Sequence, residues 1–252
     1  MSLWEIFTQS LNDFLFGIYP YLCAGVFLVG SLIRFDRDQY TWRSGSSQLL
    51  RARQLSWGSN LFHYGILFIF LGHFVGLLTP HALYELFITP QQKQMLAIVV
   101  GGIAGALCFV GLAVLVHRRL QDPRIRRTTT AIDVTILVLL LVQATLGLST
   151  IPFSLVHRDG GMMIALSEWA QHVVTFRSGA ADFVRGADLP FKLHILLGMT
   201  LFLLTPFSRL VHIFSAPVWY LFRGWQIVRR RGGATTRPGP VAVPEAPQRV
   251  VS

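Results

Sequence analysis

Residues 59–81 read SNLFHYGILFIFLGHFVGLLTPH. The run holds no Lys, Arg, Asp or Glu, yet two histidines, His63 and His73, stand inside it. About 20 predominantly apolar residues cross the hydrocarbon core of a bilayer as one helix. In lipid, every backbone N–H and C=O must be satisfied within the segment, which a helix does and an isolated strand does not. An ionisable side chain at that depth is costly and points to function. The same stretch therefore raises both the fold and the site.

Working outward, four further segments have the same character: about 14–33, 95–116, 132–149 and 193–214, with the first run occupying 56–78. The fourth is the shortest. The composition agrees. Of 252 residues, 52% are hydrophobic and only 13% charged, against about 25% charged in an ordinary soluble domain. Mean hydropathy is +0.52. A soluble globular enzyme, a coiled coil and a wholly disordered chain are excluded, and the alternating ten-residue strands of a barrel are absent. The expected fold is an all-α membrane protein, a five-transmembrane-helix bundle. Cys23 and Cys108 both lie in apolar runs, and no CxxC or CxxCH motif is present, which excludes covalent haem attachment and a cysteine-held cluster.

A net charge of +10 could suggest nucleic acid. In so apolar a chain the cations instead mark a side of the membrane, and no nucleic-acid partner is expected. Five of the 22 Lys and Arg fall between the first two spans, five between the third and fourth, and seven at the end of the fifth span and beyond. The remaining five, Lys93, Arg158, Arg177, Arg185 and Lys192, fall on the other side. The positive-inside rule places the N-terminus in the periplasm and the C-terminus in the cytoplasm. Nothing before Arg34 is Lys or Arg, so the N-terminus lacks the basic start of a cleavable signal and is expected to stay on the chain. Residues 1–228 form the expected membrane domain, and 229–252 a basic, then Pro-rich, disordered tail. In the long periplasmic loop, about 150–192, Met162, Met163, Leu166, Trp169, Val173 and Val174 recur at helical spacing. That helix either lies in the interface or packs on the bundle. Gly101 and Gly105 form a small-xxx-small pair suited to close helix packing.

Four of the eight histidines stand inside spans: His63 and His73 in the second, His194 and His212 in the fifth. At 1.5 Å per residue, His63 lies about 10 Å and His73 about 25 Å from the cytoplasmic start of the second span. The fifth span runs the other way, so His212 lies about 4 Å and His194 about 31 Å from the same face. His63 thus matches His212, and His73 matches His194, to within about 6 Å. The crossed pairing of His63 with His194 would need a vertical reach of about 20 Å. Two levels with two facing imidazoles each are what two haems with axial His ligands require. Zinc would want three or four ligands at one level. The 18 residues between His194 and His212 are five whole turns of a continuous helix, which predicts both on one face.

Gly65, Gly72 and Gly76 leave room beside the second-span histidines, either for a planar macrocycle or for a neighbouring helix. Arg209, one turn from His212, suits either haem propionates or a cytoplasmic anchor. Lys93 starts the third span on the sparsely basic side, where position alone suits a snorkelling anchor.

At these residues the chain resembles the gamma subunits of respiratory nitrate reductases, a family of membrane cytochromes b. The stretches that carry the resemblance are GIYPYL (17–22), QYTWR (39–43), the 59–81 run, RTTTAID (127–133), TIPFS (150–154), WAQHVVTF (169–176) and HILLGMTLFLLTPFSRLVHI (194–213). The resemblance as a whole covers about 17–228. The resemblance implies two b haems in a bacterial inner membrane, ligated by His73 with His194 on the periplasmic side and by His63 with His212 on the cytoplasmic side. It also implies oxidation of ubiquinol or menaquinol near the periplasmic haem, with Lys93 and Gly72 at the quinol site. The implied partners are an iron–sulfur beta subunit and a molybdenum-containing alpha subunit, on which nitrate itself is reduced. Electrons would move inward over about 20 Å between irons, against a potential worth about 2.3 kcal/mol per charge per 100 mV. Two other readings remain open. One is a cytochrome b subunit of a sulfite- or disulfide-reducing complex. The other is a transporter with His proton relays, which would need broken helices or intramembrane carboxylates.

Overall fold

A computed structural model describes residues 2–38, 52–127 and 129–215, and all regular structure among them is helical. The expected tail 229–252 and the end of the 1–228 domain lie outside the described residues.

Helix α1 (Leu3–Asp13) starts on a capping box between Ser2 and Glu5. It runs through one π turn, Phe14–Ile18, into α2 (Tyr19–Arg37). Helix α3 (Ala52–Leu78) carries His63 and His73. The short α4 (His81–Tyr84) leads to α5 (Pro90–Gln121), capped by Thr89 and Gln92 with Pro90 in its first turn. Helix α6 (Pro123–Arg127) is a brief turn before α7 (Ala131–Val156), which starts on a Thr130–Asp133 capping box. Then follow α8 (Gly161–Val174), α9 (Ala180–Arg185) and α10 (Leu189–Leu204). Two 3-10 segments, Thr205–Phe207 and Arg209–Ser215, end the described chain.

Five stretches are long and apolar enough to cross a membrane: Leu3–Arg37, Arg53–Leu78, Pro90–Gln121, Ala131–Val156 and Leu189–Phe207. The number agrees with the sequence expectation, and two details do not. The fourth span is a 26-residue helix, not the shortest; it continues through Pro152 to Val156. The fifth is not one continuous helix to 214. The α-helix stops at Leu204, two residues before Pro206, which has no N–H to extend the ladder. The five-turn argument for His194 and His212 therefore fails, because His212 lies beyond the break.

The spans pack in the order α2, α10, α7, α5, α3, and the α3–α5 contact is the most extensive. Glycine sets that contact. A Cβ on Gly65 would stand 2.5 Å from the Cys108 nitrogen, and one on Gly111 would stand 2.4 Å from the Phe62 nitrogen. No side chain fits there, so the two backbones touch and α3 is held in register. By contrast, α3 and α10 have little close backbone contact.

Helix α8 packs on the bundle. Trp169 and Ala170 are buried in one cluster with Phe16, Val184 and Phe191, against which Met162, Leu166 and Val173 also pack. Trp169 donates its indole N–H to the Phe16 carbonyl at 2.9 Å, inside the π turn. Gln171 Nε2 donates to the carbonyls of Leu77 and Thr79, taking up orphan acceptors at the end of α3.

Candidate functional site: two histidine pairs and the groups around them

Imidazoles of α3 face two others, one on α10 and one on the 3-10 segment beyond it. His73 faces His194 with ring centres 6.1 Å apart, and His63 faces His212 at 6.4 Å. The rings approach although His212 rides on a 3-10 segment. A histidine–metal bond is about 2 Å, so two imidazoles on opposite faces of one metal have ring centres roughly 6 Å apart. Both pairs meet that spacing. No group of three or more His, Cys, Asp or Glu converges among the described residues.

Hydrogen bonding selects the free ring nitrogen. His63 Nδ1 lies 2.7 Å from the Ser59 carbonyl, His73 Nδ1 lies 2.8 Å from the Ile69 carbonyl, and His212 Nδ1 meets the Arg209 carbonyl. A carbonyl only accepts, so Nδ1 carries the proton and Nε2 keeps a lone pair for a metal. His172 makes a similar bond to the Glu168 carbonyl but faces Phe183 rather than a second imidazole. His194 differs: its Nδ1 is buried without a hydrogen-bond partner, while its carbonyl accepts from Gln143 Nε2 at 3.0 Å. A Cβ on Gly147 would stand 2.9 Å from His194 Cε1, so that glycine makes the space the ring occupies.

The surroundings suit a planar group. A Cβ on Gly72 or Gly76 would meet nothing within 4 Å, unlike Gly65, whose role is helix packing. The Gly101–Gly105 pair divides in the same way: Gly105 packs against Leu148 of α7, and Gly101 faces open space. The imidazole spacing at both levels, the Nδ1 bonds of His63, His73 and His212, and the open space at Gly72 and Gly76 would fit haem, with His73 and His194 as one pair of holding residues and His63 and His212 as the other.

Lys93 does not reach outward as an anchor. It is 7% exposed, and its Nζ stands 3.7 Å from the centre of the Tyr84 ring, a cation–π contact. Neither Lys93 Nζ nor the Tyr84 hydroxyl has a hydrogen-bond partner. Burial raises the Tyr84 pKa above its ordinary value, and the Glu85 and Glu168 carboxylates add to this, so the phenol keeps its proton. Sequence reasoning missed Tyr84, because nothing in HALYELF marks one aromatic as the cover of a lysine nine residues on.

At the other level, Arg209 Nε pairs with Asp133 Oδ1, and Arg119 Nη1 stands 3.5 Å from Asp133 Oδ2. Asp133 thus holds two guanidiniums, and Arg209 carries the carbonyl that His212 Nδ1 meets. Asp133 was legible only as a helix start, and Gly147 and Gln143 carried no signal in spacing.

Helical spans with facing imidazole pairs at two depths define a membrane protein of the cytochrome b class. The family described as "Nitrate reductase gamma subunit" matches residues 12–231. The "Respiratory nitrate reductase 1 gamma chain" of Escherichia coli (strain K12) is 54% identical over 88% of this chain and 99% of its own. The "Nitrate reductase gamma chain" of Bacillus subtilis (strain 168) is 37% identical over 87% of this chain and 99% of its own. The chain belongs to the nitrate reductase gamma subunit family: it is a multi-pass membrane protein and the gamma component of an oxidoreductase complex, associated with other nitrate reductase subunits.

Proposed function

We propose that this chain oxidises quinol near the periplasmic side of the bacterial inner membrane and delivers the electrons to a cytoplasmic iron–sulfur beta subunit. From there they would reach a molybdenum-containing alpha subunit. The observation that supports this most is the pair of imidazole spacings, 6.1 Å between α3 and α10 and 6.4 Å between α3 and the 3-10 segment beyond α10. Two b haems, when bound, supply one-electron carriers at two depths. His73 and His194 hold the outer position, and His63 and His212 the inner one. The orientation rests on the basic residues, which put the N-terminus outside and the C-terminus in the cytoplasm.

Lys93 and Gly72 form the quinol site of this reading. Lys93 Nζ has hydrogens to donate and no acceptor bonded to it, so it suits a quinol oxygen. Gly72 leaves open space beside the His73 backbone. Protons released at that level leave on the periplasmic side. Arg209, three residues before His212, would be the cation nearest in sequence to a propionate at the inner level. The test is an absorbance spectrum of purified membranes combined with quinol addition. Two b-type components reduced by quinol are expected; a chain without b-type bands would overturn the reading.

A further inference from the structure

The break at Pro206 leaves a question that the histidine pairing does not answer. His212 sits on a 3-10 segment, eight residues past the end of α10. Such segments are short and their hydrogen bonds are poorly aligned. A metal ligand nevertheless needs its ring held by supporting contacts. The helix ladder does not reach His212, so neighbouring elements must hold it.

Other elements reach the break and the segment after it; besides the Phe27–Phe214 ring contact, two sets of polar contacts do so. Arg34 of α2 donates from Nη1 to the carbonyls of Pro206 at 2.6 Å and Ser208 at 2.8 Å, tying down the break itself. Asp133 of α7 pairs through Oδ1 with Arg209 Nε. Arg209 in turn supplies the carbonyl that accepts from His212 Nδ1. The path from the first turn of α7 to the imidazole is thus one ion pair, one residue of backbone and one hydrogen bond.

We propose that Asp133 is a positioning residue for His212: its buried carboxylate clamps Arg209, and so fixes the carbonyl that orients the inner imidazole. The proposal rests on the reading of His63 and His212 as ligands of one haem. Asp133 has an obvious local duty, since its Oδ2 accepts the Thr130 N–H at 3.1 Å in the capping box of α7. That duty does not use Oδ1. Its side chain is 3% exposed, and a carboxylate so buried is tolerated only when paired. A neutral side-chain oxygen at this third helical position, such as the amide oxygen of asparagine, can accept the same Thr130 N–H. The charge is explained by Arg209 and Arg119, not by the cap.

Asp133→Asn separates the two duties, because the amide oxygen keeps the cap and the charge is lost. The experiment uses the complete membrane complex, with haem content, redox titration and low-spin EPR measured for each haem. The expected result is a change confined to the His63/His212 haem: an altered EPR signal, an upward shift of its midpoint potential or selective loss of occupancy. The His73/His194 haem should match wild type. The upward direction follows from removing a nearby negative charge, which stabilises the reduced, less positive iron. If Asp133→Asn does not accumulate, Asp133→Glu is read for the same selective EPR change, since its longer side chain displaces Arg209. Unaltered signals and potentials, or equal effects on both haems, overturn the proposal. His212→Ala is the control for the reading beneath it. Should that variant keep both haems, the ligand assignment fails; should it lose one while Asp133→Asn is silent, only the clamp fails.

Discussion

His63 faces His212 at 6.4 Å between ring centres, although one lies in the middle of a 27-residue helix and the other beyond the end of a broken one. Each imidazole anchors its Nδ1 on a carbonyl of its own segment, at Ser59 and at Arg209. The two Nε2 atoms are thereby left for whatever lies between. The pair is a convergence of two separately built supports.

The first prediction follows from the two levels. His63→Ala and His212→Ala should each remove one haem, and His73→Ala and His194→Ala the other, so that every single variant retains about half the wild-type haem. Pyridine haemochrome assays on purified protein measure this. Four variants that all keep full content would refute the assignment.

A glycine supplies a sharper test of the His194 side. Gly147→Ala puts a methyl 2.9 Å from His194 Cε1, a distance that forces the ring to move. The His73/His194 haem should lose occupancy or change its EPR signal, with the other haem unaffected. Gly101→Ala, where a methyl meets nothing within 4 Å, should be silent in the same assay.

Lys93 should matter for substrate and not for haem. In Lys93→Ala, both haems are expected at wild-type content, while quinol-driven haem reduction falls by about tenfold or more, the loss of one charge-assisted hydrogen bond in a dry site. Lys93→Arg keeps the charge without the compact ammonium geometry and should recover part of the rate. Stopped-flow reduction in membranes matched for haem content decides. A normal rate in Lys93→Ala would leave the residue a structural cation beneath Tyr84.

Orientation is open to a reporter test. A fusion near Asp159 should be active only as a periplasmic reporter, and one after Arg231 only as a cytoplasmic one. The opposite pattern would reverse the direction of electron flow proposed for the chain.

Much of this protein was legible in its residues alone. Apolar runs about 20 residues long set five spans, because the bilayer's thickness and its lack of hydrogen-bond partners act on each segment separately. His63, His73, His194 and His212 stood out for the same reason: their cost in lipid depends on their own position, not on their neighbours. The tertiary structure decided what depends on contacts between distant residues. The end of α10 is an example. TPFSRLVHI reads as continued span by hydropathy, yet the chain turns at Pro206 and is held there by Arg34 from the first span. Trp169 could equally have floated in the interface; it packs inward because the π turn offers it the Phe16 carbonyl. Lys93 looked like an anchor until Tyr84 was found over it, and Asp133 read only as a helix start until Arg209 was found on one of its oxygens. A cation–π contact and an ion pair act over a few ångströms between groups about ten to eighty residues apart in the chain. Sequence spacing does not encode such distances, and only the packed bundle brings those groups together.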